Sequence, residues 1–243
     1  MTTGTVPSDV TVEAITDWLY CLCTPVVAVY AIRQSAGFVL LDSGVAGNER
    51  AYLHALAQVA GGPPESVRLT EILLTHGHDD HTGSAAALKA ITGARVRGPA
   101  LDADVIEGRA AQPHPRLREW EIPVFERFGR VARAPAVTLD ELVEDGDRLD
   151  WERPAQIVAA PGHTRGSVAV FLPDDQVLIA GDAITTMGGE PTLGVFNVDL
   201  EQAADSFHRL ARLDAEILCV GHGPTIAHDA HACLVRAALS LVS

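Results

Sequence analysis

The sequence predicts an α/β domain built of packed layers, and three observations predict it. Short apolar runs of strand length alternate with longer stretches of helical periodicity along nearly the whole chain. Hydrophobic residues make up 47% of the 243 positions, enough for a substantial buried core. Five apolar runs end in a histidine or aspartate, as expected where neighbouring strands deliver polar tips to a common edge.

The elements follow in order. "PVVAVYAI" and "GFVLLD" predict adjacent strands joined by a turn around Ser35 to Gly37, and "NERAYLHALAQVAG" predicts a helix with a glycine stop. "EILLT" predicts a buried strand, followed at once by an Ala-rich helix over "HTGSAAALKAITG". "AQIVAA", "SVAVFL" and "QVLIAG" predict three more strands. "DLEQAADSFHRLARLD" is an amphipathic helix, "EILCVG" a last strand and "DAHACLVRAALSLV" a closing helix. Between Pro99 and Pro154 the periodicity fades into six prolines, many acidic and arginine residues, and scattered aromatics. The expectation is therefore one domain over 1–243, with 99–154 as a cap over the site.

Composition excludes several functions. The net charge of −14 and a single lysine, Lys89, disfavour a nucleic-acid partner, whose affinity depends on clustered basic residues. No stretch approaches the apolar length of a membrane span, and the first residues lack a basic and an apolar leader region, so no membrane partner and a cytoplasmic location are expected. Cys21, Cys23, Cys219 and Cys233 include no CxxC pair and are expected to be reduced, packing as small hydrophobes.

The stretch "THGHDDH", Thr75 to His81, carries the chemistry. In a helix His76 and His78 would point about 200° apart; in an extended segment both face one side and can share an ion. Asp80 and His81 follow as the chain turns, and His163, Asp182 and His222 end later apolar runs. Imidazole and carboxylate without thiolate suit zinc, although iron, manganese or cobalt also accept such donors. Seven candidate ligands are enough for two ions. His54, His208, His228 and His231 lie on predicted helices and are expected at the surface, as is His114.

These motifs resemble those of the metallo-β-lactamase superfamily, in its hydroxyacylglutathione hydrolase and lactonase-like branch. The HxHxDH signature is met by His76, His78, Asp80 and His81, and the later motifs by His163 in "PGHTRGS", Asp182 in "AGDA" and His222 in "VGHG". The resemblance implies an αββα sandwich with two metals at one edge. His76, His78 and His163 would hold the first, Asp80, His81 and His222 the second, and Asp182 would bridge them. Asp42, in "LLDSG", would orient ligands without binding metal. Two zinc ions, two carboxylates and a bridging hydroxide leave about one positive charge, and that hydroxide would attack an acyl carbon. Asp80 would orient it and handle its proton.

Departures from related families narrow the implied substrate to a small acyl compound cleaved at an ester, thioester or lactone bond. β-Lactamases of the family commonly carry Cys or His where Asp182 stands. Hydroxyacylglutathione hydrolases have a helical C-terminal extension, whereas 21 residues follow His222 here. Several lactonases use a tyrosine where Thr185 stands. Nuclease branches add large domains or basic surfaces, and flavodiiron proteins place Glu at His78. Persulfide dioxygenases are the rival: they bind one iron through positions matching His76, His163 and Asp182, but with a shorter spacing than the 87 positions between His76 and His163. A non-catalytic metal-binding protein is the third reading, disfavoured because every expected ligand is present. Trp120, Phe125, Phe128, Met187 and Phe196 hint at an apolar acyl pocket, and Arg165 at a contact with an anionic group.

Overall fold

The structure, a computed structural model, describes residues 10–129 and 131–241, apart from the Phe128 side chain. Seven strands form one sheet in chain order: β1 (Thr11–Ala14), β2 (Leu19–Cys23), β3 (Ala28–Gln34), β4 (Gly37–Leu41), β5 (Leu69–Leu73), β6 (Arg95–Pro99) and β7 (Glu141–Val143). The first four pair antiparallel through short turns. From β4 onward pairing is parallel, which requires crossovers. Helix α1 (Glu49–Ala60) connects β4 to β5, and the short α2 (Asp79–Thr82) with α3 (Ala85–Thr92) connects β5 to β6.

After α4 (Ala103–Ile106) and α5 (Glu121–Phe128) the chain enters a second sheet. Its strands are β8 (Arg148–Leu149), β9 (Ala155–Ala159), β10 (Val168–Leu172), β11 (Val177–Ile179) and, last in the chain, β14 (Ile217–Cys219), in spatial order β14-β11-β10-β9-β8. A two-stranded ribbon of β12 (Ile184–Thr185) and β13 (Thr192–Leu193) stands apart, α6 (Leu200–Leu210) precedes β14, and α7 (Ala230–Ser240) follows it.

Side-chain alternation places three cores between four layers. Val39, Leu41, Ile157, Val168, Val170 and Ile179 meet between the sheets. On the outer face of the first sheet, Leu40 and Ile72 pack against Tyr52 and Leu56 of α1 and Leu88 of α3. Ala169 and Phe171, on the outer face of the second, pack against Phe207 and Leu210 of α6 and Leu234 of α7. Neighbours such as Leu40 and Leu41 thus serve opposite cores, and strands buried on both faces read as unbroken apolar runs. The result is the αββα sandwich.

Several sequence expectations are corrected. Cys21 and Cys23 form a disulfide. As residues i and i+2 of one strand they face the same side, and their Cα atoms lie 5.6 Å apart, within disulfide reach. Cys219 and Cys233 are free, the former buried. The single helix expected over 81–93 is two, because Gly83 and Ser84 separate α2 from α3. His228 precedes α7 instead of lying on it. The 99–154 stretch includes edge strands of both sheets, β7 and β8, and its Trp151 is buried in the core between them. Among the described residues no helix is long and apolar enough to cross a membrane.

Candidate metal centre

The polar tips gather because the strands that carry them run in one direction. β4 and β5 are parallel neighbours, β11 and β14 are parallel, and β9 shares the direction of β11 because both pair antiparallel with β10. Their C-terminal ends deliver Asp42, the Thr75–His81 stretch, His163, Asp182 and His222. Three groups of converging ligand atoms result: first His76 with His78 and His163, second Asp80 with His81 and His222, and, behind these, Asp42 with His76 and His81.

In the first group the His78 Nδ1 stands 3.1 Å from the His76 Nε2 and 2.8 Å from the His163 Nε2. In the second, the His222 Nε2 lies 3.3 Å and the His81 Nε2 3.8 Å from the Asp80 Oδ2. The Asp182 carboxylate faces both groups. Its Oδ2 is 3.5 Å from the His163 Nε2 and 3.1 Å from the His222 Nε2, and its Oδ1 is 3.3 Å from the His81 Nε2. Donors about 2.0–2.1 Å from a tetrahedral ion stand roughly 3.3 Å apart, so the spacing fits.

The other imidazole nitrogens are anchored. His163 donates through Nδ1 to the Val195 carbonyl at 3.0 Å, His222 to that of Val26 at 2.8 Å, and His81 to the Asp42 Oδ2 at 2.8 Å. His76 reaches Asp42 indirectly: its Nδ1 is 3.0 Å from the Thr75 Oγ1, which donates to the Asp42 Oδ2 at 2.8 Å. Asp42 also accepts the Thr75 N–H, so both its oxygens are engaged in hydrogen bonds. Such anchoring fixes the tautomer and leaves Nε2 of these four rings for the centre.

Electrostatics divides the cluster. Burial, reinforced by neighbouring rings, holds His76, His78 and His163 below the ordinary imidazole range, His163 down to about 3. They present neutral lone pairs. Burial also disfavours charge on His81 and His222, but Asp182 and Asp80 outweigh it, raising His81 and pushing His222 up to about 10. Burial raises the Asp80 and Asp182 carboxyls, and the same two histidines more than reverse this, holding both below the usual carboxylate range. The carboxylates therefore demand positive charge. The His81 Nε2 and Asp182 Oδ1 are buried and face each other without a hydrogen bond, which cations between the donors would resolve.

Other residues fall outside the centre. Asp79 turns away and accepts the Ala134 N–H. Thr185, at the position that several lactonases give to tyrosine, donates to the His222 carbonyl at 2.7 Å and so supports the backbone of that candidate ligand. His54, His114 and Arg165 are exposed. Two carboxylates escaped the sequence reading, Asp102 and Glu121. Both are buried within 99–154 and hydrogen-bonded to the loops that carry ligands or to segments supporting them. No local pattern in "GPALDAD" or "REWEIP" sets them apart from solvated charges.

With this architecture and donor set described, the class is defined. Residues 25–222 match the metallo-beta-lactamase superfamily, and the chain belongs to it. The probable metallo-hydrolase YflN of Bacillus subtilis is 29% identical over 226 residues, covering 83% of this chain and 82% of that protein. A hydroxyacylglutathione hydrolase of Rhodobacter capsulatus is 34% identical over 72% of this chain and 54% of its own length. The chain spans about half the length of several such hydrolases that it matches. Among solved structures, a metallo-beta-lactamase family protein of Thermus thermophilus superposes with a TM-score of 0.68 at 24% identity, covering 94% of this chain and 81% of that one. The subclass B3 metallo-beta-lactamase BJP-1 of Bradyrhizobium japonicum gives 0.68 at 23% identity, covering 95% and 90%. At such identity these two establish the fold alone.

Proposed function

We propose that the chain is a binuclear zinc hydrolase that cleaves an ester, thioester or lactone bond of a small acyl substrate, with iron or manganese as alternative metals. One observation carries the reading: the Asp182 carboxylate stands between two complete donor groups, within 3.5 Å of His163, 3.3 Å of His81 and 3.1 Å of His222. His76, His78 and His163 would hold one ion, Asp80, His81 and His222 the other, and Asp182 would span them. Zinc held there supplies Lewis acidity and lowers the pKa of bound water to about 7.

The chain's own residues complete the chemistry. The Asp80 and His222 side chains are 20% and 21% exposed, against 8% for Asp182, so the reacting face opens on their side. Asp80 engages His222 and His81 through Oδ2, and its carboxylate takes the proton of the attacking water and returns it to the leaving oxygen or sulfur. The names of the hydroxyacylglutathione hydrolase relatives support a thioester among the three bond types. An aspartate at 182 supports a target other than a β-lactam. Phe125 and Phe196, edge to face at 5.1 Å, are candidates to meet an apolar acyl chain, whereas Trp120 and Met187 are over half exposed and the Phe128 side chain lies outside the described residues.

The test is metal content and turnover measured on one preparation across thioesters, lactones and aryl esters. Two zinc ions per chain with cleavage of one class are expected. One iron with oxygen consumption would replace this reading with a persulfide dioxygenase-like one, and metal loading without turnover would leave a metal-binding protein. Asp80→Ala is expected to lower turnover about 10²–10⁴-fold; full turnover with both metals bound would remove its proton-handling role.

A further inference from the structure

The three-histidine group is assembled from two loops distant in sequence, His76–His78 after β5 and His163 after β9. One buried carboxylate spans them. Asp102, 4% exposed, lies in the turn between β6 and α4. Its Oδ2 accepts the Gly77 N–H at 2.9 Å and the Thr164 hydroxyl at 2.6 Å, and its Oδ1 accepts the Gly166 N–H at 2.8 Å. Gly77 sits between two of the histidines, and Thr164 directly follows the third.

All three partners are neutral donors. A carboxylate taken out of water retains its charge only while such donors replace its hydration, so withdrawing either loop leaves it unsatisfied. The two loops are thereby coupled. Close packing tightens the coupling: a Cβ on Gly166 would lie 2.6 Å from both the backbone nitrogen and the Oδ1 of Asp102, and one on Gly77 would lie 3.5 Å from the Asp102 Cβ. Gly77 is held from its other side as well, its carbonyl accepting from the Gln112 Nε2 at 3.1 Å. His81 and His222 draw their support elsewhere, from Asp42 and the Val26 carbonyl.

We propose that Asp102 is a positioning residue for the first metal, fixing the separation of the His76 and His78 rings from the His163 ring without touching the ion. The assignment rests on the reading that these three histidines hold a metal. Its action differs from that of Asp42, which orients His81 directly and His76 through Thr75. Asp102 acts on backbone, and on the spacing between loops of the two different sheets.

The test is zinc affinity of the full chain, measured by competition with a chromogenic chelator, together with cobalt(II) absorption as a report on coordination geometry. Asp102→Asn keeps the side chain's shape but turns an N–H toward a donor. It is expected to weaken one of the two affinities about 10–100-fold and to alter the cobalt spectrum of that site, leaving the other affinity within about twofold. His222→Ala, which keeps the three-histidine group intact, identifies which affinity is which. Thr164→Val, removing one donor, is expected to weaken the same affinity by a smaller factor. Equal loss at both sites, or loss at neither, overturns the assignment. If Asp102→Asn does not fold, an unchanged first affinity in Thr164→Val overturns it and a selective loss supports it. A wild-type chain that takes up no zinc overturns the metal reading itself.

Discussion

Asp42 shows how much the centre depends on single atoms. It adopts φ 63°, a left-handed backbone conformation uncommon outside glycine but tolerated by aspartate, and this directs its carboxylate back beneath Thr75 and His81. Gly221 is the opposite case, a residue needed for what it lacks. A Cβ there would lie 2.1 Å from the Asp182 Oδ1 and 2.7 Å from the His81 Cε1, inside any contact real atoms tolerate. The clash falls on the residue that would bridge the metals and on one that would hold the second. Gly221→Ala is therefore expected to lose at least one metal equivalent while retaining the circular dichroism spectrum of the wild-type chain. Measured metal content equal to wild type would show that the Asp182 carboxylate has room to retreat. The residues that gather here, His76, His78, Asp80, His81, His163, Asp182 and His222 with Asp42 beside them, stood out in the sequence because they are marked by residue identity. The need for glycine at 221 was not, because the clash arises only when β11 and β14 are paired.

At the scale of elements, α5 acts on the centre through the segment after β13. Glu121, the first residue of α5, accepts the Arg118 N–H at 2.7 Å, the Arg118 guanidinium at 2.8 Å and the Phe196 N–H at 3.0 Å. Phe196 adopts φ 61°, rare for an aromatic residue, and its neighbour Val195 offers the carbonyl that anchors His163. The helix thus holds a strained turn beneath His163, a candidate ligand. Burial raises the Glu121 carboxyl, yet Arg118 and the two backbone donors more than offset this, and its pKa lies below that of an ordinary glutamate. Because the folded value is the lower one, the stabilisation is complete above the unfolded pKa of about 4.3 and is lost as pH falls through the folded value. Glu121→Ala is expected to cost about 1–3 kcal/mol in urea unfolding at neutral pH, with the gap to wild type narrowing below about pH 4. A gap that stays constant or widens on acidification would sink this account. Neither Glu121 nor Asp102 was legible in the sequence, since Phe196 lies 75 positions from Glu121, and Gly77, Thr164 and Gly166 lie 25, 62 and 64 positions from Asp102. β6 escaped for a related reason. Its "RVRGP" shows no apolar run, and the buried Arg97 is met by carboxylates from elsewhere in the chain, Glu141 on the adjacent β7 at 3.0 Å, Asp150 at 3.5 Å and Glu71 on the adjacent β5 at 3.6 Å.

At the scale of the molecule, the centre is a seam between two sheets that come from successive parts of the chain. The first sheet and the turn after it supply His76, His78, Asp80 and His81; the second supplies His163, Asp182 and His222. Near the same edge the sheets are joined by few polar bonds. The Ala28 N–H donates to the Gly221 carbonyl at 2.9 Å, the Tyr30 hydroxyl donates to the Val220 carbonyl at 2.9 Å, and the Val168 N–H donates to the Thr75 carbonyl at 2.9 Å. Apolar packing between the sheets fixes their orientation, and the alternation of apolar residues made that layer legible from sequence. Ions held there would add a cross-link whose donors converge only in the folded chain, so their binding free energy would add to folding stability. At free zinc of about 100 times Kd each proposed site would contribute about 2.7 kcal/mol, and in a chain of this size each kcal/mol shifts Tm by roughly 2–4 °C. Chelation of a fully loaded sample is therefore expected to lower Tm by about 5–10 °C per site, read by calorimetry at fixed protein concentration. His163→Ala removes a candidate ligand from the second sheet and His76→Ala one from the first, and each should reduce the chelator-sensitive part of Tm. If chelation strips two bound ions and leaves Tm unchanged, the metals bind folded and unfolded chain alike, and the seam is held by packing alone.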